Sequence, residues 1–94
     1  MFILQIEHPV KSIEGWKQAF DSDPLNRRQS GVQFYRILRP VDDPNFVIVE
    51  LEFASRQEAE ALLNRLGDVW KKVEGKIIES ARARIVEVAE SVTY

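Results

Sequence analysis

Apolar and polar residues alternate along four short stretches of the chain, which is the pattern of half-buried β-strands. The stretches are residues 2–10, 32–41, 45–53 and 81–90. A short DDPN segment joins the second stretch to the third, and its aspartate, proline and asparagine residues favour a chain reversal. The pattern therefore predicts four strands, with a hairpin between the middle two. It assigns Asp42 and Asp43 to the turn of that hairpin rather than to a cation site.

Two stretches between these strands carry apolar residues at helical spacing. The first begins after Ser12, a suitable N-cap, and is expected to bend near residue 22 and continue as a second short helical piece over 23–30. The second begins with Ser55 and Glu58 at the spacing of a capping box. This helix is expected to end near Gly75. Its apolar stripe consists of Ala59, Leu62, Leu63, Leu66, Trp70 and Val73.

The resulting element order is β-α-β-β-α-β, the ferredoxin-like arrangement. Right-handed crossovers in this order place both helices on one face of a four-stranded antiparallel sheet. A length of 94 residues suits a single domain and leaves no room for a second core. The sequence therefore predicts one α+β domain over residues 1–94.

Strand parity predicts two different sheet faces. The face expected beneath the helices is consistently apolar and comprises Phe2, Leu4, Ile6, Val32, Phe34, Leu38, Val47, Val49, Leu51 and Phe53. The opposite face mixes apolar residues with acids on the first and third strands and bases on the second and fourth. Such a face is too apolar to remain in water, so two copies are expected to stack it sheet to sheet as a homodimer.

Composition narrows the possible partners. With 13 basic and 15 acidic residues the net charge is −2, so nucleic acid is not expected as a partner. Cysteine is absent and histidine occurs once, so neither a metal site nor another cofactor is expected. No apolar stretch approaches the roughly 20 residues of a membrane helix, and no signal segment is recognised at the N-terminus. These features predict a cytoplasmic protein that does not bind membranes.

Three features are typical of a known superfamily: the element order over nearly the whole chain, the amphipathic second sheet face, and the segment SGVQFYRILRPVDDPNFVIVELEF followed by a helix with Trp70. In these features the chain resembles the dimeric α+β barrel superfamily, which includes antibiotic-biosynthesis-monooxygenase-like proteins and small cofactorless or haem-degrading enzymes. The resemblance implies a barrel of two packed sheets, with a ligand cleft between the helices and sheet of each subunit. Fold alone does not determine function.

Haem-degrading members of that superfamily use an asparagine on the first strand, a tryptophan on the second helix and a histidine near the end of that helix. Trp70 matches the tryptophan. The first strand has Gln5 and Glu7 instead of asparagine, and the segment after Trp70 has no histidine. The resemblance therefore does not extend to haem degradation.

Candidate site residues follow from strand parity, which places His8 and Arg36 on the otherwise apolar, helix-facing side of the sheet. His8 is the candidate proton acceptor because its ordinary pKa lies near neutrality, and Arg36 is the candidate partner for an anionic or phenolate oxygen. Trp16, Phe34 and Trp70 are the candidate walls for a planar ligand. The same residues also admit a structural interpretation, with a solvated histidine, a paired arginine and tryptophans that only fill the core.

Two charged groups are interpreted structurally. Glu50, Glu52, Arg82 and Arg84 alternate along strands, which favours ion pairing at the expected interface over acid–base catalysis. The basic segment NRRQ at 26–29 is interpreted as a solvated helix face.

Three function classes remain open at this point. The first is a cofactor-independent monooxygenase-like enzyme that acts on a small aromatic or anionic molecule. The second is a non-catalytic ligand-binding module, and the third is a structural dimerisation module. The sequence does not decide whether the protein is an enzyme.

Overall fold

The computed structural model describes residues 1–73 and 81–94. Its elements are β1 (Phe2–Pro9), α1 (Ile13–Asp21), β2 (Val32–Leu38), β3 (Phe46–Phe53), α2 (Arg56–Val73) and β4 (Arg82–Glu87). The strands form one antiparallel sheet in the order β2-β3-β1-β4, which confirms the predicted ferredoxin-like α+β fold. Gly75, the expected end of the second helix, lies outside the described residues.

The apolar core lies between the sheet and both helices. Trp16 of α1 and Leu62 of α2 are buried in one cluster with Leu4, Val47 and Phe53 of the sheet. Fully burying one such side chain stabilises the fold by roughly 1.5–3 kcal/mol. Both helices therefore cover the same face of the sheet, as the element order predicts.

Serine caps begin both helices. Ser12 has extended backbone angles, and its hydroxyl accepts a hydrogen bond from the backbone N–H of Gly15 at 3.1 Å. At the start of α2, the Ser55 hydroxyl accepts from the backbone N–H of Glu58 at 3.2 Å and donates to the Glu58 carboxylate at 3.0 Å. These bonds satisfy backbone donors that the first helical turn leaves without partners. The cap positions expected from the sequence are thereby confirmed.

The segment between α1 and β2 contradicts one prediction, because it forms turns instead of a second short helix. Asp23 and Asn26 have φ values of 52° and 51°, which lie in the left-handed region. Short polar side chains tolerate this region by bonding locally, and the Asp23 carboxylate accepts from the backbone N–H of Arg27 at 2.9 Å. The chain consequently folds back on itself over 22–31, which we call the turn segment.

A β-bulge changes the register of β2. Val32 pairs with Phe53, but Phe34 pairs with Glu52, so one extra residue is accommodated between Val32 and Phe34. A one-residue change of register moves every following side chain to the opposite face. From Phe34 onward, each β2 side chain therefore lies on the sheet face opposite to the one predicted.

The bulge exchanges the two faces of β2 from Phe34 onward. Phe34, Arg36 and Leu38 lie on the face away from the helices, and 52% of the Phe34 surface is exposed. Tyr35 and Ile37, opposite Leu51 and Val49, take the helix-facing positions instead. The predicted parity of β1, β3 and β4 is confirmed, since their buried and exposed residues alternate in the expected phase.

The hairpin between β2 and β3 supports the interpretation of the acidic pair as turn residues. The Asp43 carboxylate accepts a hydrogen bond from the backbone N–H of Asn45 at 3.0 Å. The backbone N–H of Asp43 donates to the carbonyl of Pro40 at 3.2 Å. Asp43 thus stabilises the reversal itself, and Asp42 is exposed beside it.

Any side chain at Gly31, immediately before β2, is expected to destabilise the fold. Its φ is +100°, and the Glu58 carboxylate lies where a Cβ atom would be. We expect Gly31→Ala to lower the free energy of unfolding by about 1–3 kcal/mol, measured by urea denaturation. Gly67→Ala is the matched control, because among the described residues no atom beyond its chain neighbours and its own helix backbone lies within 4 Å of its Cβ position. Alanine in the helix interior is expected to stabilise by up to about 1 kcal/mol, and equal effects of the two changes would contradict this account of Gly31.

Candidate ligand-binding cavity

A cavity of about 310 Å³ lies between the sheet and the two helices and is partly open to solvent. Its walls come from β1, α1, the turn segment, β3 and α2. Most of the lining is apolar, with Ile6, Leu51, Leu62 and Leu66 among the residues on the sheet and α2 sides. The volume is at the lower end of the range of small-molecule sites.

Aromatic side chains form much of the cavity wall. Trp16 and Phe20 of α1 are stacked, with ring centroids 5.1 Å apart and planes 28° apart. Trp70 of α2 also lines the cavity. Flat rings offer large, rigid contact areas, so this wall suits a flat ligand. The sequence-based prediction that both tryptophans share one cleft matches their placement.

His8 brings an acid–base group to this cavity. It is 3% exposed, and its Nδ1 lies 3.1 Å from the carbonyl oxygen of Pro9. A carbonyl only accepts, so Nδ1 carries the proton in this contact and Nε2 holds the free lone pair. Among the described residues, none donates a hydrogen bond to Nε2. The imidazole lines the cavity and lies 6.0 Å from the Trp16 ring, centroid to centroid.

Burial keeps His8 neutral. Loss of hydration lowers the pKa of His8 below its usual 6.5, and the hydrogen bond to Pro9 opposes that shift only in part. At neutral pH the imidazole is therefore an unprotonated base with one available nitrogen.

Arg27 also lines the cavity, although the sequence was interpreted as placing it on a solvated helix face. Only 17% of its side chain is exposed. Its Nη1 donates to the carbonyl oxygen of Phe20 at 2.7 Å and lies 3.4 Å from the Asp23 carboxylate. Its guanidinium carbon lies 3.8 Å from the centre of the Phe20 ring and 5.2 Å from that of Tyr35. The predicted solvated helix face is wrong for Arg27, because the chain turns back where a helix is expected. The other three residues of the 26–29 segment are exposed.

The structure brings together only some of the predicted site residues. His8, Trp16 and Trp70 share the cavity, whereas Phe34 and Arg36 lie on the other sheet face because of the bulge in β2. Nothing in the apolar alternation of β2 signals that bulge. The predicted placement of Phe34 and Arg36 in a helix–sheet cleft was therefore wrong.

Arg36 belongs instead to a polar row that crosses all four strands on the face away from the helices. Its Nε donates to the Glu50 carboxylate at 2.7 Å, and the Gln5 amide donates to the other oxygen of Glu50 at 3.0 Å. Arg84 Nε donates to the Gln5 carbonyl oxygen at 2.9 Å. The hydrogen bond from Arg36 is the main cause that holds the pKa of Glu50 below its ordinary value.

Apolar side chains flank this polar row, and we call the whole surface the outer sheet face. Phe34 and Leu38 of β2 are exposed, and Ile3, Ile48 and Val86 on the other strands are half-buried. The predicted mixture of apolar and charged residues on this face is thus present, with the β2 contribution corrected. Such a surface is typical of an interface.

Two further properties concern metals and membranes. Across residues 1–73 and 81–94, no three histidine, aspartate or glutamate side chains are grouped in a way that could hold a metal ion. Within the same ranges, no helix is both long and apolar enough to span a membrane.

No protein-family model and no curated protein matches this chain. Solved structures do share its fold. A "putative antibiotic biosynthesis monooxygenase" from Deinococcus radiodurans superimposes with a TM-score of 0.72 at 14% identity, over 100% of this chain and 98% of that one. A dimeric ferredoxin-like protein from an uncultured marine organism gives 0.67 at 13% identity, over 97% of both chains.

A mutant of MhuD with two manganese protoporphyrin IX molecules bound per active site gives a TM-score of 0.66 at 18% identity, over 100% of both chains. At such low identities these likenesses establish the fold. They confirm the ferredoxin-like architecture and, at the level of fold, the resemblance to the antibiotic-biosynthesis-monooxygenase-like proteins.

Proposed function

We propose that the protein forms a homodimer and binds a small aromatic molecule in the helix–sheet cavity, where His8 accepts a proton in a cofactor-independent, monooxygenase-like reaction. One observation carries this proposal. A buried, neutral imidazole lines an aromatic-walled cavity, with Nδ1 held by Pro9 and Nε2 without a protein partner among the described residues. The proposed reaction class also draws on the fold shared with a protein named a "putative antibiotic biosynthesis monooxygenase".

The chemistry requires only the ligand, dioxygen and a base. Nε2 of His8 takes a proton from a hydroquinone-like or polyphenolic substrate, and the resulting anion passes one electron to dioxygen. The substrate radical and superoxide then combine at a ring carbon that carries a hydrogen atom, and the resulting peroxide takes the proton back from Nε2 of His8. The hydroperoxide then loses that hydrogen and its terminal hydroxyl as water, which leaves a carbonyl group. One oxygen atom enters the product and the other leaves as water, so dioxygen is the only oxidant. The apolar walls of this partly open cavity limit the access of bulk water to this step.

Dimerisation is supported by the outer sheet face. Within its polar row, Arg36 and Glu50 already form an ion pair in one protomer, so burial against a second copy would not leave these two charges without a partner. The apolar residues beside the row, including Phe34 and Leu38, would lose their contact with water. A two-fold axis brings the same patch of each protomer together.

The alternative is a non-catalytic ligand-binding or dimerisation module. It is favoured by the observation that, within the described lining of the cavity, His8 is the single group that titrates near neutral pH. A binding module needs no second acid or base, whereas many catalytic sites use one.

A two-stage measurement tests the proposal. Hydroquinones and polyphenols are first tested for thermal stabilisation, which at a ligand concentration of 100 Kd amounts to about 2.7 kcal/mol. Stabilising compounds are then assayed with an oxygen electrode. The proposal expects dioxygen uptake equal to the substrate consumed. Stabilisation without uptake favours the alternative, and no stabilisation by any flat aromatic compound contradicts binding in this cavity.

A further inference from the structure

The cavity is electrostatically one-sided. Of the described residues that line it, Arg27 carries a permanent positive charge and none is acidic. His8 is neutral at physiological pH because its pKa is lowered by burial. A ligand in the cavity therefore meets the Arg27 guanidinium directly, whereas the Asp23 carboxylate that accompanies it is not among the described lining residues.

A series of ring contacts along the cavity wall connects Arg27 to His8. The guanidinium of Arg27 stacks on Phe20, Phe20 stacks on Trp16, and Trp16 lies beside the His8 ring. A flat ring system that lies along this wall presents one end to a fixed cation and the other to a neutral base. That arrangement discriminates between ligands by the group they carry at the cation end.

The guanidinium is fixed before any ligand arrives. The hydrogen bond from Nη1 to the Phe20 carbonyl and the contact with the Phe20 ring hold its plane. Arginine has five N–H donors, and among the described residues neither Nε nor Nη2 of Arg27 donates to a protein acceptor. Asp23 is partly exposed and lies 3.4 Å from Nη1, and it accepts no hydrogen bond from Nε or Nη2. A preorganised planar donor pair suits a carboxylate.

We propose that Arg27 selects an aromatic acid, whose carboxylate it binds while the ring lies along Phe20 and Trp16 and a hydroxyl at the far end approaches His8. This inference rests on the ligand-binding cavity of the proposed function and adds the chemical class of the ligand. It also replaces Arg36, which lies on the outer sheet face, as the residue that binds an anionic oxygen.

Binding of three matched probes tests the inference. The probes are 6-hydroxy-2-naphthoate, its neutral amide and 2-naphthol, and binding is followed by quenching of tryptophan fluorescence, since Trp16 and Trp70 are the two tryptophans of the chain. We expect the naphthoate to bind wild type about tenfold more tightly than the amide, as charge-assisted hydrogen bonds are the stronger kind. Arg27→Gln is expected to abolish that preference while 2-naphthol affinity changes less than about threefold.

Two further variants separate position from charge. Arg28→Gln makes the same charge change at the exposed neighbouring residue and is expected to keep the preference. Arg27→Lys keeps the charge but loses the planar donor pair, so an intermediate preference is expected. It also serves if Arg27→Gln fails to fold, as judged by circular dichroism.

The outcomes distinguish this inference from the function on which it rests. Equal binding of naphthoate and amide by wild type, or an unchanged preference in Arg27→Gln, overturns the role of Arg27 and leaves the cavity proposal standing. Loss of the preference in Arg28→Gln shows a general charge effect and likewise overturns it. Failure of all three probes to bind overturns both.

Discussion

Replacing His8 with asparagine is expected to lower turnover of a hydroquinone substrate by about 100-fold or more, the usual contribution of a general base. The asparagine amide can still donate to the Pro9 carbonyl, as Nδ1 of His8 does, so the local backbone contact is kept. What the variant lacks is Nε2. Oxygen uptake gives the rate, and tryptophan fluorescence is expected to show ligand affinity within about threefold of wild type.

The pH dependence of turnover provides a second test of the role of His8. A base works only when neutral, and burial lowers the pKa of His8, so its neutral form persists below pH 6.5. Turnover by wild type is therefore expected to fall on the acid side, with the midpoint of the fall below pH 6.5. The residual activity of His8→Asn is expected to lack that acid limb.

Asp42→Asn is the matched control, because it removes a titratable group at the exposed hairpin tip. We expect it to leave turnover unchanged. Equal rates for wild type and His8→Asn would remove His8 from the mechanism. A large loss in Asp42→Asn would reopen the acidic pair as a chemical site.

The architecture was predictable because each element carries a local signal. Serine caps, helical apolar spacing and strand alternation depend on residues close in sequence, and Ser12 and Ser55 cap the helices as expected. The order of these elements then restricts the topology to very few arrangements. His8, Trp16 and Trp70 were brought to one cavity for the same reason, since each lies on a regular element of the predicted phase.

The predicted faces of β2 are wrong because one extra residue interrupts the alternation of the strand. The extra residue between Val32 and Phe34 reverses the faces of β2, yet both faces of that strand carry apolar and polar residues. Alternation alone therefore fits either register equally well. Phe34 and Arg36 were assigned to the cavity on this ambiguous phase.

Arg27 was missed for a different reason. Its place in the cavity depends on Asp23 and Asn26, two non-glycine residues in the left-handed region. Asp–Pro at 23–24 is also typical of a helix start, so the local sequence favoured the wrong structure. The observed turns also bring Arg27 into contact with Phe20 and Tyr35, which lie outside the turn segment, and the local sequence pattern does not report such contacts.

The reversed phase of β2 places Phe34 and Leu38 on the outer sheet face, where both are exposed. Leu38→Glu is expected to raise the dimer dissociation constant about 100-fold or more. In the proposed dimer, the new carboxylate would lie between two sheets beside Ile48, without a partner. Since 37% of Leu38 is exposed in one protomer, the same carboxylate is hydrated in the monomer, which is expected to fold normally.

Val41→Glu is the matched control for this change. Val41 lies three residues further along the chain at the hairpin tip and is 98% exposed. Val41→Glu therefore introduces the same carboxylate away from the outer sheet face. Sedimentation velocity over a range of protein concentrations measures both variants. We expect Leu38→Glu to sediment as a folded monomer where wild type and Val41→Glu remain dimers. The proposed dimer stacks the outer sheet faces of two protomers on each other. An unchanged monomer–dimer balance in Leu38→Glu would therefore contradict this stacking across the two-fold axis.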